Sequence, residues 1–114
     1  MQVINQTRNF TLIAHARLAN TFWQRFWGLM GVKALAHNEG LILVGDKSIH
    51  TFFMRFPIDV VYVDKNFSVL RTDSRMRPNR IGPFVSRAAY ILEMPVGVIA
   101  ASHTQAGDTL ILVD

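Results

Sequence analysis

Two carboxylates in apolar surroundings are the residues of this chain that could do acid–base chemistry. Asp59 lies between Ile58 and Val60 in the run HTFFMRFPIDVVYVD, and Glu93 lies in the run AAYILEM. A buried carboxylate is costly without donors, so each must find hydrogen bonds or face a cleft. Two such groups facing one cleft would serve as acid and base. We favour the alternative, in which backbone N–H groups at strand ends and turns hold both carboxylates.

The segment that contains Asp59 also carries the side chains from which a ligand pocket would be built. Aromatic residues with a few polar groups suit a small polar ligand, such as a sugar or a peptide end. On one unbroken strand Arg55 and Asp59 would stand about 13 Å apart, so they could pair only across strands or around Pro57. The candidate pocket residues are His50, Thr51, Phe53, Met54, Arg55, Asp59 and Glu93.

A second candidate site is the arginine-rich segment 71–87, where Asp73 is the only acid. Guanidinium groups favour planar anions, so the segment is either a solvated basic loop or an anion or nucleic-acid contact surface. No aromatic-interleaved RNA motif, zinc finger or helix-turn-helix pattern accompanies it, which argues against nucleic acid as a partner. The anion-binding candidates are Arg71, Arg75, Arg77, Arg80 and Arg87.

Several catalytic and metal-binding patterns are absent from the sequence. It has no phosphate-binding glycine loop, no GxSxG turn and no HExxH helix. The chain has no cysteine, and its four histidines lack metal-ligand spacing. A metal site from His50, Asp59 and Glu93 would require the fold to gather them. We therefore predict no metal and no cofactor, and favour a non-catalytic role over an enzyme.

The composition indicates a folded protein of modest size. The chain has 114 residues, a net charge of +4 and 50% hydrophobic residues, so we predict a single domain over residues 1–114. No apolar stretch approaches the roughly 18 residues that cross a bilayer. The first residues lack a basic region followed by an apolar one, so no secretory signal is predicted. A cytoplasmic monomer is the expectation.

One helix stands out among the predicted elements. Residues 21–31 begin with Thr21 and Gln24, a capping-box pattern, and end at Gly31. The stripe Trp23, Phe26, Trp27 and Met30 follows helical spacing. This helix is predicted to cover the sheet.

The remaining elements are predicted strands. Residues 58–64 are apolar on both faces, typical of a central strand covered on both sides, and a turn at 64–66 returns the chain as strand 69–76. Further strands are predicted at 10–18, 40–44, 88–94 and 109–113, with an edge strand or loose end at 1–9 and a loop at 77–86. The predicted fold class is α+β and β-rich, a small curled sheet or closed β-barrel with one or two short helices.

Five ordered motifs carry a resemblance to a known family. They are GLM at 28–30, EG followed by apolar residues at 39–43, HTFFMRFPIDVVYVD at 50–64, LEMPVG at 92–97 and GD at 107–108. Together they span about residues 12–113 and resemble domain of unknown function 192, a bacterial and archaeal family. The resemblance implies a small, sheet-rich, barrel-like fold and supplies no function. An Arg usually follows GLM by two positions in that family, where this chain has Val32. Many relatives carry an export signal or lipid anchor, and this chain shows neither.

These observations lead to three functional hypotheses. The leading one is a binding or accessory module whose partner is a small polar ligand or a protein. The alternative is an enzyme that uses Asp59 and Glu93 as acid and base. The third is anion or nucleic-acid binding through residues 71–87, which predicts a steep salt dependence.

Overall fold

The computed structural model describes residues 1–21 and 35–114. The predicted helix at 21–31 therefore lies outside the described residues, apart from Thr21, and so does its aromatic stripe. In the part that is described, no helix is long and apolar enough to cross a membrane. The described elements are β1 (Gln2–Asn5), β2 (Phe10–Ile13), β3 (His15–Ala19), β4 (Glu39–Val44), β5 (Ile58–Val63), β6 (Val69–Met76), β7 (Tyr90–Pro95), α1 (Val98–Ser102) and β8 (Leu110–Val113).

The strands form two sheets. One has three strands in the order β2-β1-β8, and the other has five in the order β3-β4-β7-β5-β6. Only the β3–β4 pair is parallel among the described pairs. The β-rich α+β class is confirmed. The closed barrel is not, because among the described strands the larger sheet ends at β3 on one side and β6 on the other.

Strand β5 is an interior strand of the larger sheet, between β7 and β6, and it is covered on both faces, as its two apolar faces predicted. All six of its residues are buried. Each face of the larger sheet packs into a hydrophobic core. Val61 and Val63 belong to the core that we call the first, which also holds residues of the smaller sheet and of α1. Ile58, Val60 and Tyr62 contribute to the second core on the opposite face. Burial on both faces explains why the strand has no polar side beyond Asp59.

The N-terminal region differs from the prediction. The strand expected at 10–18 bends at Ala14, so that β2 belongs to the smaller sheet and β3 to the larger. The region 1–9, expected to be an edge strand or loose end, supplies β1, the middle strand of the smaller sheet. Its polar composition was misleading because the Asn5 amide is buried and donates to Thr104 and Asp108.

Candidate functional site

Among the described residues, the donors to the Asp59 carboxylate are all backbone N–H groups. Its Oδ1 accepts from the N–H of Arg75 at 2.9 Å, and its Oδ2 accepts from Gly97 at 3.1 Å and Ile99 at 2.9 Å. The side chain of Asp59 is buried, and its two helix-end bonds satisfy N–H groups that α1 cannot pair internally. The prediction that internal donors hold this carboxylate is confirmed. Asp59 ties the end of β6 and the start of α1 to β5.

Glu93 lies on the other face of the same sheet. Across β5 and β7, Asp59 is opposite Met94, whereas Glu93 is opposite Val60. Because side chains alternate along a strand, Asp59 faces the first core and Glu93 the second. The structure therefore does not bring the two carboxylates into one cleft, and the acid–base pair of the enzyme hypothesis is not assembled.

Glu93 is nevertheless an unusual residue. It is buried, and its Oε1 has no hydrogen-bond partner among the described residues, so the prediction that backbone N–H groups hold both carboxylates is wrong for this oxygen. Burial, reinforced by the negative charge of Asp46, raises the pKa of Glu93 to about 8. Its carboxyl group is therefore mostly protonated at neutral pH. On the same face the buried Tyr62 hydroxyl also lacks a partner among these residues, and burial followed by the charge of Asp73 raises its pKa.

The HTFFMR segment is not a strand but part of a paired loop. Backbone bonds join Lys47 to Val85, Ile49 to Gly82 and Thr51 to Arg80, at 2.7–2.8 Å. An isolated bridge between His50 and Ile81 lies among them. We call residues 47–53 and 77–85 together the loop ribbon. Pairing with the region around Pro78, Gly82 and Pro83 explains why the first half of the apolar run leaves the sheet.

Thr51 is the anchor of the loop ribbon. It is fully buried, and its hydroxyl donates to the Arg77 carbonyl at 2.6 Å and accepts from the Arg80 N–H at 2.9 Å. The Thr51 carbonyl accepts from Asn79 and Met54 at 2.9 and 3.2 Å. Thr51 thus belongs to the scaffold of the loop ribbon rather than to its surface.

Thr51→Val is expected to lower the free energy of unfolding by about 2 kcal/mol, because it leaves two loop groups without their partner. Urea unfolding would measure the change. Arg77→Glu is the control, since it reverses the charge of an exposed side chain but keeps the carbonyl that accepts from Thr51. Its free energy of unfolding should stay within about 0.5 kcal/mol of that of the parent. Equal losses in both variants would show that Thr51 is not the anchor.

The loop ribbon exposes bulky apolar side chains. Phe53, Ile81 and Phe84 are 73%, 73% and 74% exposed. Phe53 also adopts a left-handed backbone with φ of 63°, as does Asn79 with φ of 61°, and the Asn79 side-chain oxygen accepts from the Phe53 N–H at 3.3 Å. A left-handed backbone is strained for a bulky residue, so the surrounding loop must impose it.

The other predicted site residues are divided between surface and interior. Arg55 is exposed, whereas Met54 is buried in the second core. The His50 ring stacks on Phe52 with centroids 5.3 Å apart, and its Nδ1 accepts from the Phe52 N–H. Within residues 1–21 and 35–114, no three His, Asp or Glu side chains are grouped so that they could hold a metal ion.

The five arginines of segment 71–87 take different positions. Arg71 pairs with Asp73 at 2.9 Å, and Arg87 lies 3.7 Å from Asp64 at the β5–β6 turn. Arg75 donates its backbone N–H to Asp59, while Arg77 and Arg80 bond Thr51 through their backbones. The segment is therefore an anchored strand and loop rather than a free one. All five arginine side chains are exposed.

Sequence reasoning missed Ile81 and Phe84 as site candidates. Their signal is visible in PNRIGPF, where two large apolar residues lie in a segment rich in Pro and Gly. Apolar side chains in a loop without strand or helix periodicity have no core face to occupy. Gly82 between them allows close approach to the sheet, because a Cβ there would stand 2.9 Å from the Tyr62 hydroxyl oxygen.

The sequence matches a family of known proteins. Residues 3–112 match a family described as Uncharacterized ACR. The UPF0127 protein of Thermococcus sibiricus is 35% identical over 112 residues, which is 95% of this chain and 72% of that protein. The UPF0127 protein of Pyrococcus horikoshii is 34% identical over 111 residues, 95% of this chain and 96% of that protein.

Two solved structures share the fold. A protein of unknown function from Novosphingobium aromaticivorans superposes with a TM-score of 0.81 at 21% identity, over 97% of this chain and 82% of that one. A protein from Sinorhizobium meliloti, named as a candidate transcription regulator, has a TM-score of 0.78 at 21% identity, over 96% of this chain and 89% of that one. At this identity the likeness concerns the fold alone.

Proposed function

This chain belongs to the uncharacterised family DUF192, and from its own surface we propose that it is a non-catalytic binding module whose loop ribbon takes an acidic protein segment. The observation that carries the proposal is the exposure of Phe53, Ile81 and Phe84 on two loops that the bridge at His50 joins. Large exposed apolar side chains that are held in place are a common feature of protein contact surfaces.

The conformation of Phe53 supports this interpretation. Its left-handed backbone costs free energy, and its ring recovers little of that cost through burial, since it is 73% exposed. Thr51 and Asn79 nevertheless fix the loop on either side of it. Strain that is maintained by surrounding contacts and serves no core is typical of binding sites. A rigid aromatic anchor also loses little entropy when a partner covers it.

Charge supports an acidic class of partner. Residues 47–57 and 74–92 contain no Asp or Glu, while Arg55, Arg77 and Arg80 are exposed within or beside the loop ribbon. Guanidinium groups recognise carboxylates through paired donors. The surface therefore suits a segment that offers Asp or Glu around an aromatic or aliphatic anchor residue.

Two of the polar groups predicted for a sugar pocket, those of Thr51 and Asp59, are already used within the protein. The Thr51 hydroxyl bonds the loop, and the Asp59 carboxylate accepts three backbone N–H groups. Sugar binding relies on such hydroxyl and carboxylate groups being available at the surface. Rings and guanidinium groups remain for contact, which favours a protein segment over a small sugar.

The test is selection of displayed random peptides on the immobilised protein. Enriched peptides should combine Asp or Glu with an aromatic or large aliphatic residue. Phe53→Asn tolerates the left-handed backbone and removes the ring, and Phe84→Ser removes the second ring. Each should weaken binding of an enriched peptide about tenfold while the free energy of unfolding stays within about 0.5 kcal/mol.

Leu18→Ser is the matched control, because Leu18 is an exposed apolar residue on the edge strand β3, outside the loop ribbon. It should leave peptide binding unchanged. Equal weakening by Leu18→Ser, or enrichment of basic peptides, would contradict the proposal. If a single-stranded oligonucleotide displaced the peptide with a steep salt dependence, the nucleic-acid hypothesis would take its place.

A further inference from the structure

We infer that the protein has a second binding site, which shares only Lys47 with the loop ribbon and takes a small phosphate ester. The site is a cleft of about 630 Å³ between the β5–β6 turn and the segments that flank β4 and β7. We call it the hairpin cleft; the lining residues that matter here are Lys47, Asp64, Lys65, Arg87 and Tyr90. Its volume lies within the roughly 300–1,000 Å³ of small-molecule sites.

Positive charge predominates in the hairpin cleft. Lys47, Lys65 and Arg87 line it together with one carboxylate, Asp64. The Oδ1 of Asp64 already accepts from the N–H groups of Asn66 at 2.9 Å and Ser68 at 3.0 Å. Its Oδ2 lies 3.7 Å from Arg87, too far for a hydrogen bond. Asp64 thus shapes the turn and neutralises only part of the cationic charge.

Two of the cations can reach an anion in the hairpin cleft. The Lys47 ammonium donates to the Ala88 carbonyl at 2.8 Å, which fixes it at the cleft and leaves two further N–H donors. The Arg87 side chain is 76% exposed, so its planar donors can turn toward a ligand in the cleft. A phosphate group, with several acceptor oxygens and two negative charges, matches this pair better than a single carboxylate does.

The apolar part of the hairpin cleft lining favours a phosphate that carries an organic group. Tyr90 lines the hairpin cleft and stacks on Phe67, with ring centroids 4.9 Å apart and an angle of 11° between the planes. Stacking on Phe67 holds the Tyr90 ring in place beside the cations. Inorganic phosphate would fill little of the cleft, whereas a monoester would place its organic part against Tyr90.

The hairpin cleft adjoins the end of the loop ribbon at which Phe84 lies, whereas Phe53 of the protein-binding surface lies toward the other end. Lys47 is joined to Val85 at one end, while Thr51, Phe53 and Asn79 meet at the other. Substitutions can therefore address the two sites independently, so failure of one proposal does not decide the other.

The test is titration of the intact protein with phenyl phosphate at constant ionic strength, followed by amide chemical shifts. We expect saturable binding in the millimolar range or tighter, with shifts around residues 45, 65 and 88. The double variant Lys65→Gln with Arg87→Gln should weaken it about tenfold or more. The matched double variant Arg55→Gln with Arg77→Gln removes two charges from the other site and should leave the affinity unchanged.

Three outcomes would overturn the inference. Binding of phenyl phosphate could fail to saturate. Both double variants could also weaken this binding equally, which would indicate attraction to net charge alone. Inorganic phosphate could bind as tightly as the ester, which would remove the role of Tyr90. Thermal melts of both double variants should match the parent, so that a loss of affinity reports on the cleft rather than on folding.

Discussion

Asp59→Ala is expected to lower the free energy of unfolding by about 3 kcal/mol, because it leaves three backbone N–H donors without their acceptor. Those donors belong to Arg75, Gly97 and Ile99. The carboxylate is 1% exposed, so water cannot readily replace it. Asp59→Asn keeps one acceptor oxygen and should cost less, about 1–2 kcal/mol, since its amide must face at least one N–H. Urea unfolding of both variants measures the order.

Asp64→Ala is the matched control for that experiment. Asp64 also accepts two backbone N–H groups, those of Asn66 and Ser68, but Asn66 is exposed and Ser68 half-buried. Water can reach these donors, so the expected loss is about 1 kcal/mol. If Asp59→Ala cost no more than Asp64→Ala, Asp59 would not be the link between β5 and α1.

Glu93→Gln is expected to stabilise the protein near pH 8 by on the order of 4 kcal/mol, with the gain disappearing near pH 4.5. Burial, and then the charge of Asp46, raises the pKa of Glu93 from 4.5 to about 8 in the folded protein. Between these values the folded chain binds a proton that the unfolded chain releases. The contribution of Glu93 to stability is therefore fully present below pH 4.5 and is lost as the pH rises toward 8. Glutamine stays neutral and avoids this loss.

The measurement is urea unfolding of parent and variant from pH 4.5 to 8. The difference between their free energies of unfolding should grow with pH. Titrating groups that both proteins share contribute equally to both curves, so this difference reports on Glu93. Glu39→Gln, at an exposed residue on β4, should follow the parent at each pH. Parallel curves for the parent and Glu93→Gln would show that Glu93 has an ordinary pKa.

Strand periodicity predicted much of the described fold. The apolar faces of β5, the Asp64 turn and the return strand β6 could be predicted because each depends on neighbours in sequence. The same local argument placed Asp59 among internal donors, since a carboxylate in an apolar run has few other options. The identity of those donors depends on Gly97 and Ile99, which meet Asp59 only through the tertiary fold.

The separation of Asp59 from Glu93 could not be predicted from the sequence. A one-residue change in register between β5 and β7 would move Glu93 to the face of Asp59, and nothing local fixes that register. The split of β2 from β3 at Ala14 and the pairing of the loop ribbon are likewise long-range features. The exposed rings of Phe53 and Phe84 depend on the pairing of the loop ribbon. The sequence therefore predicts which segment carries the candidate pocket, but not which side chains lie together at the surface.

The pairing of β1 with β8 has a consequence for how the chain is made. Gln2 pairs with Val113 and Asn5 with Leu110, so the middle strand of the smaller sheet has one edge that only the opposite end of the sequence can cover. A ribosome releases β1 early and β8 late, and the smaller sheet cannot be completed until both have emerged. Such distant pairing slows folding and leaves an apolar strand edge open to other chains during synthesis.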